Sequence, residues 1–179
     1  MMEYTHHYNS LLGGITLASD GEALIGLWFD GQKYFLNSLC EDHEERGLPI
    51  FEQADQWLDI YFSGKAPNFT PPLKLKTTMF RKAVCEIMLT IPFGQTMTYG
   101  QIAGIIAKQR GMDHMSAQAI GGAVGHNPIS LIIPCHRVVG TNGSLTGYGG
   151  GIDRKMQLLT LEKVNMSKFF APKKECYLN

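Results

Sequence analysis

A proline-rich segment divides the chain into two parts with different patterns. Residues 66–72 read Ala-Pro-Asn-Phe-Thr-Pro-Pro, a composition that ends regular structure and favours an extended connection. Short apolar runs separated by turn residues precede this segment, whereas apolar residues at helical spacing follow it. A chain of 179 residues, 44% of them hydrophobic, is long enough for two small domains. We therefore predict an N-terminal domain over residues 1–72 and a C-terminal domain over residues 73–179.

The N-terminal part is predicted to form strands and then one helix. Runs at residues 15–19, 23–29 and 33–36 are rich in apolar or aromatic residues, and an Asp-Gly pair follows each of the first two. Asp-Gly favours tight hairpins because both turn positions tolerate positive φ, so we expect a three-stranded antiparallel meander. A helix is predicted between Pro49 and Gly64. Its apolar face consists of Phe51, Ala54, Trp57, Leu58, Tyr61 and Phe62.

The C-terminal part is predicted to be mostly helical. Thr77, Thr98 and Ser116 each precede an apolar helical pattern and are the expected N-caps of three helices. The second and third of these favour either a helix-turn-helix or an ordinary pair of packed helices. The third is rich in glycine between residues 121 and 125, at a cost of about 1 kcal/mol for each glycine relative to alanine. Such a helix suits close approach to another surface, either DNA or a neighbouring helix.

Charge is also divided between the two parts. Residues 1–72 contain 3 Lys and Arg against 11 Asp and Glu, a net charge of −8, whereas residues 73–179 contain 13 against 5, a net charge of +8. This division is expected if only the second part meets a polyanion, although chance segregation between two domains gives the same numbers. The sequence has no apolar run of 18 residues and no basic-then-apolar leader, so we expect neither a membrane span nor a signal peptide.

Cys135 is the cysteine whose neighbours indicate chemistry. It follows an apolar run at residues 131–133 that is expected to be a buried strand, and His136 and Arg137 would favour a thiolate when charged. A buried structural cysteine is the alternative, because adjacent strand residues point to opposite faces. The other three cysteines are expected to be packing or tail residues, and the wide spacing of all four suits a reduced, cytoplasmic protein. Those three are Cys40, Cys85 and Cys176.

The segment Ile133-Pro134-Cys135-His136-Arg137-Val138-Val139 resembles the active-site signature of the O6-alkylguanine-DNA alkyltransferases. The resemblance extends from about residue 10 to about residue 165, with further similar segments at residues 24–29, 91–94, 98–103, 119–128, 143–151 and 158–162. It implies an α/β (α+β) fold. A small N-terminal antiparallel sheet plus helix, ribonuclease H-like, would precede a helical C-terminal domain with a winged-helix-like helix-turn-helix.

The resemblance also implies a function in DNA repair. The alkylated guanine would be flipped out of the duplex, and its O6-alkyl group would pass irreversibly to Cys135 in a single turnover. The implied activity is that of a methylated-DNA–protein-cysteine S-methyltransferase that needs no cofactor. We expect a cytoplasmic monomer whose partner is double-stranded DNA containing O6-alkylguanine, with no membrane partner.

Individual residues receive roles from the same resemblance. His136, held by Glu162, is expected to activate Cys135 through a water. Asn127 is expected to orient the segment from behind, and Tyr99 to donate a proton or hydrogen bond to the purine as negative charge develops. The expected substrate contacts are Tyr148, Gly149, Val138 and Gln118, and the expected DNA contacts are Thr98, Tyr99, Gln118, Ala119, Gly122 and Arg137.

One position departs from the family pattern. The family usually has an arginine finger immediately before the Ala119-Ile120-Gly121 stretch, but this chain has Gln118. Glutamine can fill the vacated stack and pair with a base edge, but it carries no charge. Some relatives also bind zinc in the N-terminal part. No metal is predicted here, because the cysteine-rich spacing is missing and the candidates are His6, His7, Cys40 and His43.

Three other functions remain open from the sequence. A non-catalytic lesion-binding protein of the alkyltransferase-like type would flip alkylguanine without reacting, but such proteins lack the cysteine. A helix-turn-helix regulator would bind a specific operator and would not depend on a thiol. A cysteine hydrolase would turn over repeatedly.

Overall fold

The structure of the protein is a computed structural model that describes residues 2–172. Cys176 therefore lies outside the described residues. Within them, no helix is long and apolar enough to cross a membrane. The strands are β1 (Glu3–Ser10), β2 (Gly13–Ser19), β3 (Leu24–Phe29), β4 (His43–Glu45), β5 (Met97–Thr98) and β6 (Val138–Val139). The α-helices are α1 (Pro49–Phe62), α2 (Met79–Met88), α3 (Tyr99–Gln109), α4 (Ala117–Gly125) and α5 (Ile152–Leu161), with short 3-10 helices at Cys135–Arg137 and Met166–Lys168.

The N-terminal sheet has the strand order β3-β2-β1-β4. β1, β2 and β3 pair antiparallel, and β4 runs parallel to β1. The predicted strands at residues 15–19 and 23–29 are confirmed as β2 and β3, whereas the strand at residues 33–36 is wrong. That segment forms turns in which Tyr34 and Leu36 have φ of 62° and 56°. β1 was missed because its sequence, EYTHHYNS, has almost no apolar signal on either face.

The predicted N-terminal helix is confirmed as α1. Pro49 occupies its first turn, and Gly64, with φ of 81°, follows its end. The buried face of α1 packs on the sheet and belongs to a core that continues into the C-terminal part, where it includes Val84, Ile102 and Ile133. The site described below therefore rests on packing from both parts of the chain.

The three predicted helices of the C-terminal part are confirmed as α2, α3 and α4. Thr98 caps α3 in a capping box with Gln101, and the Ser116 hydroxyl accepts hydrogen bonds from the first turn of α4. The cap of α2 is Thr78 instead of Thr77, because the Thr78 hydroxyl accepts from the Arg81 N–H. α3 and α4 pack against each other, as a helix-turn-helix requires.

The glycines of α4 are not there to admit a neighbouring helix. A Cβ added to Gly122 or Gly125 would meet no atom of residues 2–172 within 4 Å beyond the helix itself, and one added to Gly121 would reach only the ring of Tyr99 at 4.0 Å. Their side of α4 is therefore bare and open. Of the two explanations for the glycines, close approach by an external surface is the one compatible with this packing.

The apolar run before Cys135 is a buried turn and not a strand. Leu131 has φ of 68°, and the Ser130 N–H donates to the Leu27 carbonyl at 2.8 Å while the Leu27 N–H donates to the Pro128 carbonyl at 2.9 Å. The segment is thus fastened to β3. Burial on all sides explains its apolar composition, and a run this short does not by itself distinguish a strand from a buried turn.

Candidate active site

Cys135 begins a 3-10 helix and is almost fully buried, with 6% of its surface exposed. Asn127 holds the preceding segment from two sides. Its amide Nδ2 donates to the Ile133 carbonyl at 2.7 Å, and its Oδ1 accepts from the Ile129 N–H at 3.1 Å. These two bonds tie Asn127 to the turn that leads into Cys135.

His136 and Glu162 form a buried pair. The imidazole Nε2 lies 2.6 Å from Glu162 Oε1, and neither side chain is accessible. Hydrogen bonds and charge from His136 and Arg137 lower the pKa of Glu162 to about 2 against the opposing effect of its burial. Since Glu162 is a carboxylate, the hydrogen shared by the pair is on Nε2. Nδ1 of His136 is buried and has no hydrogen-bond partner among residues 2–172.

Glu162 is the centre of this cluster because it accepts from four groups. Arg137 donates through Nε to Oε2 at 2.9 Å and through Nη2 to Oε1 at 3.0 Å, and the Gly94 N–H donates to Oε2 at 3.0 Å. Tyr61 of α1 donates to Oε1 at 2.7 Å. Sequence reasoning placed Tyr61 only on an apolar helix face, and that pattern carries no signal for this contact.

Arg137 is placed differently from the expectation that it contacts DNA. Its side chain is buried, and besides Glu162 it binds the Ile91 carbonyl through Nη1 at 2.6 Å. Its guanidinium is therefore occupied within the site, so we do not include Arg137 in the proposed DNA surface. The same contacts hold its charge against Glu162. Arg137 is therefore not placed to stabilise a Cys135 thiolate, contrary to what the sequence had suggested.

The electrostatics of the free protein favour a neutral thiol and a neutral imidazole. Burial raises the pKa of Cys135, opposed by the Asn127 amide, the Lys155 ammonium and backbone N–H groups. Burial also lowers the pKa of His136, against the effect of Glu162. A thiol next to a neutral imidazole can ionise by proton transfer at the moment of reaction, without a standing thiolate.

Lys155 is a second residue that sequence reasoning missed. It is fully buried on α5, and its ammonium donates to the carbonyls of Val138 and Thr146. Burial lowers its pKa to about 8, and the neighbouring Cys135 opposes that change. The spacing from Lys155 to Leu158, Leu159 and Glu162 is i, i+3, i+4, i+7, so the lysine is on the buried face of α5. That spacing is the signal that could have found it.

A cavity of about 490 Å³ lies between the bare side of α4 and the loop at residues 147–151. Tyr148 and Gly149 line it, together with Gly121, Gly122 and Gly125. Tyr148 is buried, and its hydroxyl has no hydrogen-bond partner in the described part of the chain.

Tyr99 lies beneath this loop. Its hydroxyl donates to the Thr146 carbonyl at 2.8 Å, and a Cβ on Gly147 would come within 2.6 Å of it. Val138, the other expected pocket residue, is buried with its carbonyl bound to Lys155.

Of the expected DNA contacts, three are exposed on α4. Gln118, Ala119 and Gly122 are exposed along the first two turns of α4, while Thr98 is half-buried and its hydroxyl caps α3. Arg81 borders the same surface, in a shallow groove that includes Ala119 and Gly122.

The histidines considered as zinc ligands form other contacts. His6 Nε2 lies 2.8 Å from Asp55 and His7 Nε2 lies 2.8 Å from Asp30. His43 Nδ1 lies 2.8 Å from the Cys40 carbonyl. Among residues 2–172, no three His, Cys, Asp or Glu side chains are arranged to hold a metal ion.

Two family models match the chain. They are the ribonuclease-like domain of 6-O-methylguanine DNA methyltransferase, over residues 4–75, and the DNA binding domain of the same name, over residues 79–164. The curated methylated-DNA–protein-cysteine methyltransferase of Mycobacterium tuberculosis is 42% identical over 160 residues, covering 88% of this chain and 92% of that protein. The protein of the same name from Haemophilus influenzae is 38% identical over 162 residues, covering 90% and 87%.

Solved structures show the same similarity. The M. tuberculosis O6-methylguanine methyltransferase matches with a TM-score of 0.77 and 42% identity, covering 90% of this chain and 93% of that chain. M. tuberculosis OGT in complex with DNA matches with a TM-score of 0.74 and 40% identity, covering 94% and 95%. The similarity thus extends over both parts of the chain.

Proposed function

Because the chain belongs to the 6-O-methylguanine DNA methyltransferase family, we propose that Cys135 is the residue that receives the alkyl group in its reaction. The activity is alkyl transfer from DNA to a cysteine of the protein itself. The observation that carries the assignment is the buried His136–Glu162 pair, whose histidine directly follows Cys135 in the chain. Its geometry leaves Nδ1 as the nitrogen that accepts a proton.

The proposed reaction is a displacement at the alkyl carbon. The Cys135 proton passes through a water to Nδ1 of His136, and the thiolate attacks the carbon. A carbon–sulfur bond forms while the carbon–O6 bond breaks, and the electron pair of that bond stays on the purine. Glu162 remains ionised throughout and stabilises the imidazolium. The thioether is stable, so each chain reacts once.

Tyr99 is the proposed acid for the departing guanine. Burial and the neighbouring Cys135 raise the pKa of Tyr99 to about 12, so it carries its proton at neutral pH. We propose that a purine nitrogen replaces the Thr146 carbonyl as the acceptor of the Tyr99 hydroxyl when the base enters. Lys155 already donates to the same carbonyl at 3.3 Å, so Thr146 keeps a partner after the exchange.

The proposed substrate is O6-alkylguanine in duplex DNA, bound along the bare side of α4. Small side chains there permit the close approach that minor-groove binding requires. The flipped base would enter the cavity lined by Tyr148 and Gly149. One chain supplies every residue proposed for the reaction, which supports action as a monomer. The separate family matches over residues 4–75 and 79–164 support the proposed domains at residues 1–72 and 73–179.

The stoichiometry of transfer tests this function against its rivals. Duplex DNA carrying one radiolabelled O6-methylguanine is incubated with excess DNA over protein. The proposal requires one equivalent of label on protein per chain and then no further reaction. A lesion-binding protein or a regulator would acquire no label, and a hydrolase would release label continuously.

Gln118 is expected to limit base flipping in duplex DNA. Flipping costs a few kcal/mol of stacking and pairing. Charge-assisted hydrogen bonds to the vacated space contribute about 1.5–3 kcal/mol, against about 0.5–1.5 kcal/mol for neutral ones. Gln118→Arg should therefore speed duplex repair by up to about tenfold, and Gln118→Ala should slow it.

Neither change should alter the single-turnover rate with free O6-benzylguanine, since no stack has to be refilled. Equal effects on both substrates would assign Gln118 to the pocket or the fold instead.

DNA affinity is expected to fall steeply with salt, because the basic part displaces counterions from phosphates. Arg81→Gln should reduce the log–log slope by about one, the contribution of a single phosphate contact. Lys65→Gln, an exposed lysine in the acidic part, is the matched control and should leave the slope unchanged. Binding titrations from low to physiological salt measure both slopes, and a salt-independent affinity would exclude backbone contacts.

A further inference from the structure

Helix α1 of the N-terminal part places the Tyr61 hydroxyl next to the His136–Glu162 pair. The Tyr61 hydroxyl donates to Glu162 Oε1 at 2.7 Å and lies 3.2 Å from His136 Nε2. Tyr61 is fully buried. The phenol therefore touches both members of the pair that is proposed to activate Cys135, although it lies 75 residues before His136 in the chain.

Aromatic rings hold the Tyr61 side chain in place. Trp57 stacks on it at 5.3 Å with an interplanar angle of 8°, and Phe62 and Phe93 present their edges at 5.4 and 5.9 Å. The ring position is thus set by packing that does not involve the hydroxyl. Removing the oxygen alone should leave this packing intact.

The negative charge of Glu162 makes Tyr61 the donor in the hydrogen bond between them. Burial and the Glu162 carboxylate raise the pKa of Tyr61 well above its usual value, so Tyr61 keeps its proton and donates it to Oε1. Nε2–H of His136 donates to the same oxygen. Arg137 Nη2 donates to Oε1 as well, at 3.0 Å. Three donors thus converge on one carboxylate oxygen, and each reduces the negative charge available to the others.

Several charged groups face His136 from the elements around it. Glu162, at the end of α5, favours the imidazolium. Burial, Arg137 in the adjacent position and Lys155 on α5 favour the neutral ring. Cys135 precedes it in the chain and is the proposed source of its proton. Tyr61 contributes a dipole whose positive end points at Glu162 Oε1, next to Nε2–H, and this also disfavours a charged ring.

We propose that Tyr61 is a positioning residue for alkyl transfer: its hydroxyl takes up part of the Glu162 charge and so keeps His136 neutral, protonated on Nε2, with Nδ1 free to accept the Cys135 proton. This inference rests on the proposed function. It gives the N-terminal part a place in the chemistry, because α1 supplies a group that sets the protonation state of the base.

The test is the pH dependence of transfer by full-length Tyr61→Phe. Free O6-benzylguanine is the substrate, because it removes flipping from the measured rate. With the hydroxyl gone, more of the Glu162 charge acts on His136, so its pKa rises and a larger fraction is imidazolium at a given pH. The acid limb of the single-turnover rate should move to higher pH by about half a unit to one unit. The rate should fall several-fold on the acid limb, below the parent pKa of His136, and recover to the parent rate at alkaline pH.

Tyr8→Phe is the matched control. The Tyr8 hydroxyl donates to Asp59 Oδ1 at 2.7 Å, the same kind of bond, but it joins β1 to α1 away from Cys135. Its pH profile should match that of the parent. If Tyr61→Phe lowers the rate equally at every pH, or leaves the profile unchanged, the hydroxyl has no role in the protonation of His136 and the inference is overturned.

A nitrogen-15 NMR titration of His136 provides a second readout that needs no transfer. In the parent protein the ring should be neutral with its hydrogen on Nε2 at neutral pH, and in Tyr61→Phe its pKa should be higher. An imidazolium or an Nδ1–H ring in the parent at neutral pH would overturn the inference even if the variant fails to fold. If the parent transfers no alkyl group at all, the proposed function is rejected. The titration would then still show whether the Tyr61 hydroxyl affects the pKa of His136.

Discussion

Cys135→Ser is expected to abolish alkyl transfer while DNA affinity stays close to that of the parent. A serine hydroxyl is far less acidic than a thiol, so a neutral imidazole leaves almost none of it ionised, and it is a poor nucleophile at neutral pH. The change in shape is small, and Cys135 is buried and is not among the residues proposed to contact DNA, so binding should persist. The expected loss in single-turnover rate on an O6-methylguanine duplex is at least about a thousandfold.

Cys40→Ser is the control for this variant, since Cys40 is exposed and its backbone N–H is bound to Glu3, which is not part of the proposed site. It should react at the parent rate. Transfer by Cys135→Ser at more than a trace of the parent rate would show that Cys135 is not the nucleophile. Loss of DNA binding together with loss of transfer would point to misfolding, which a thermal unfolding curve detects.

His136→Ala and Glu162→Gln should each slow transfer by about a hundredfold or more. The first removes the base, and the second removes the fixed charge that holds its Nε2–H. Because both act in one chain, the double variant should be little slower than the slower single variant. Multiplicative losses would mean that the two residues act separately.

Glu162→Gln carries an additional cost, because the Arg137 guanidinium would remain buried without its carboxylate. Breaking a buried pair in this way costs about 3–5 kcal/mol of stability. The rates should therefore be compared at a temperature well below the unfolding transition of the variant. If the transfer rate of Glu162→Gln falls equally with every substrate and in proportion to the unfolded fraction of the protein, the loss reflects stability and not the activation of Cys135.

The helical elements were predictable because their signals are local. The Thr98 and Ser116 caps and the amphipathic face after Pro49 are visible within a few residues of sequence, and the structure confirms them. β1 was not visible, because its pairing with β2 satisfies a polar strand that has no apolar period. The turns around Tyr34 were hidden as well, because left-handed backbone at a non-glycine residue leaves no signal in composition.

The site, like the fold, contains residues that could be predicted from the sequence and residues that could not. Cys135 was singled out from its neighbours in the sequence, whereas the roles of His136 and Glu162 came from a resemblance, and the structure brings those two into contact. Tyr61 was assigned to the core, since a buried tyrosine on a helical apolar face looks the same whether or not its hydroxyl reaches a carboxylate 101 residues away. The resemblance implied a DNA contact for Arg137, and no local pattern in the sequence shows that its guanidinium is bound to Glu162.

Alkyl transfer to Cys135 is tested most directly by the mass of the Cys135 peptide after reaction with duplex DNA containing O6-methylguanine. We expect a gain of about 14 Da, a methyl group in place of a proton, on one peptide per chain, with fragmentation locating it on the sulfur of Cys135. The DNA strand should lose the same mass and regain guanine. A methyl group on any other residue, or restored guanine with an unmodified Cys135, would show that Cys135 is not the acceptor.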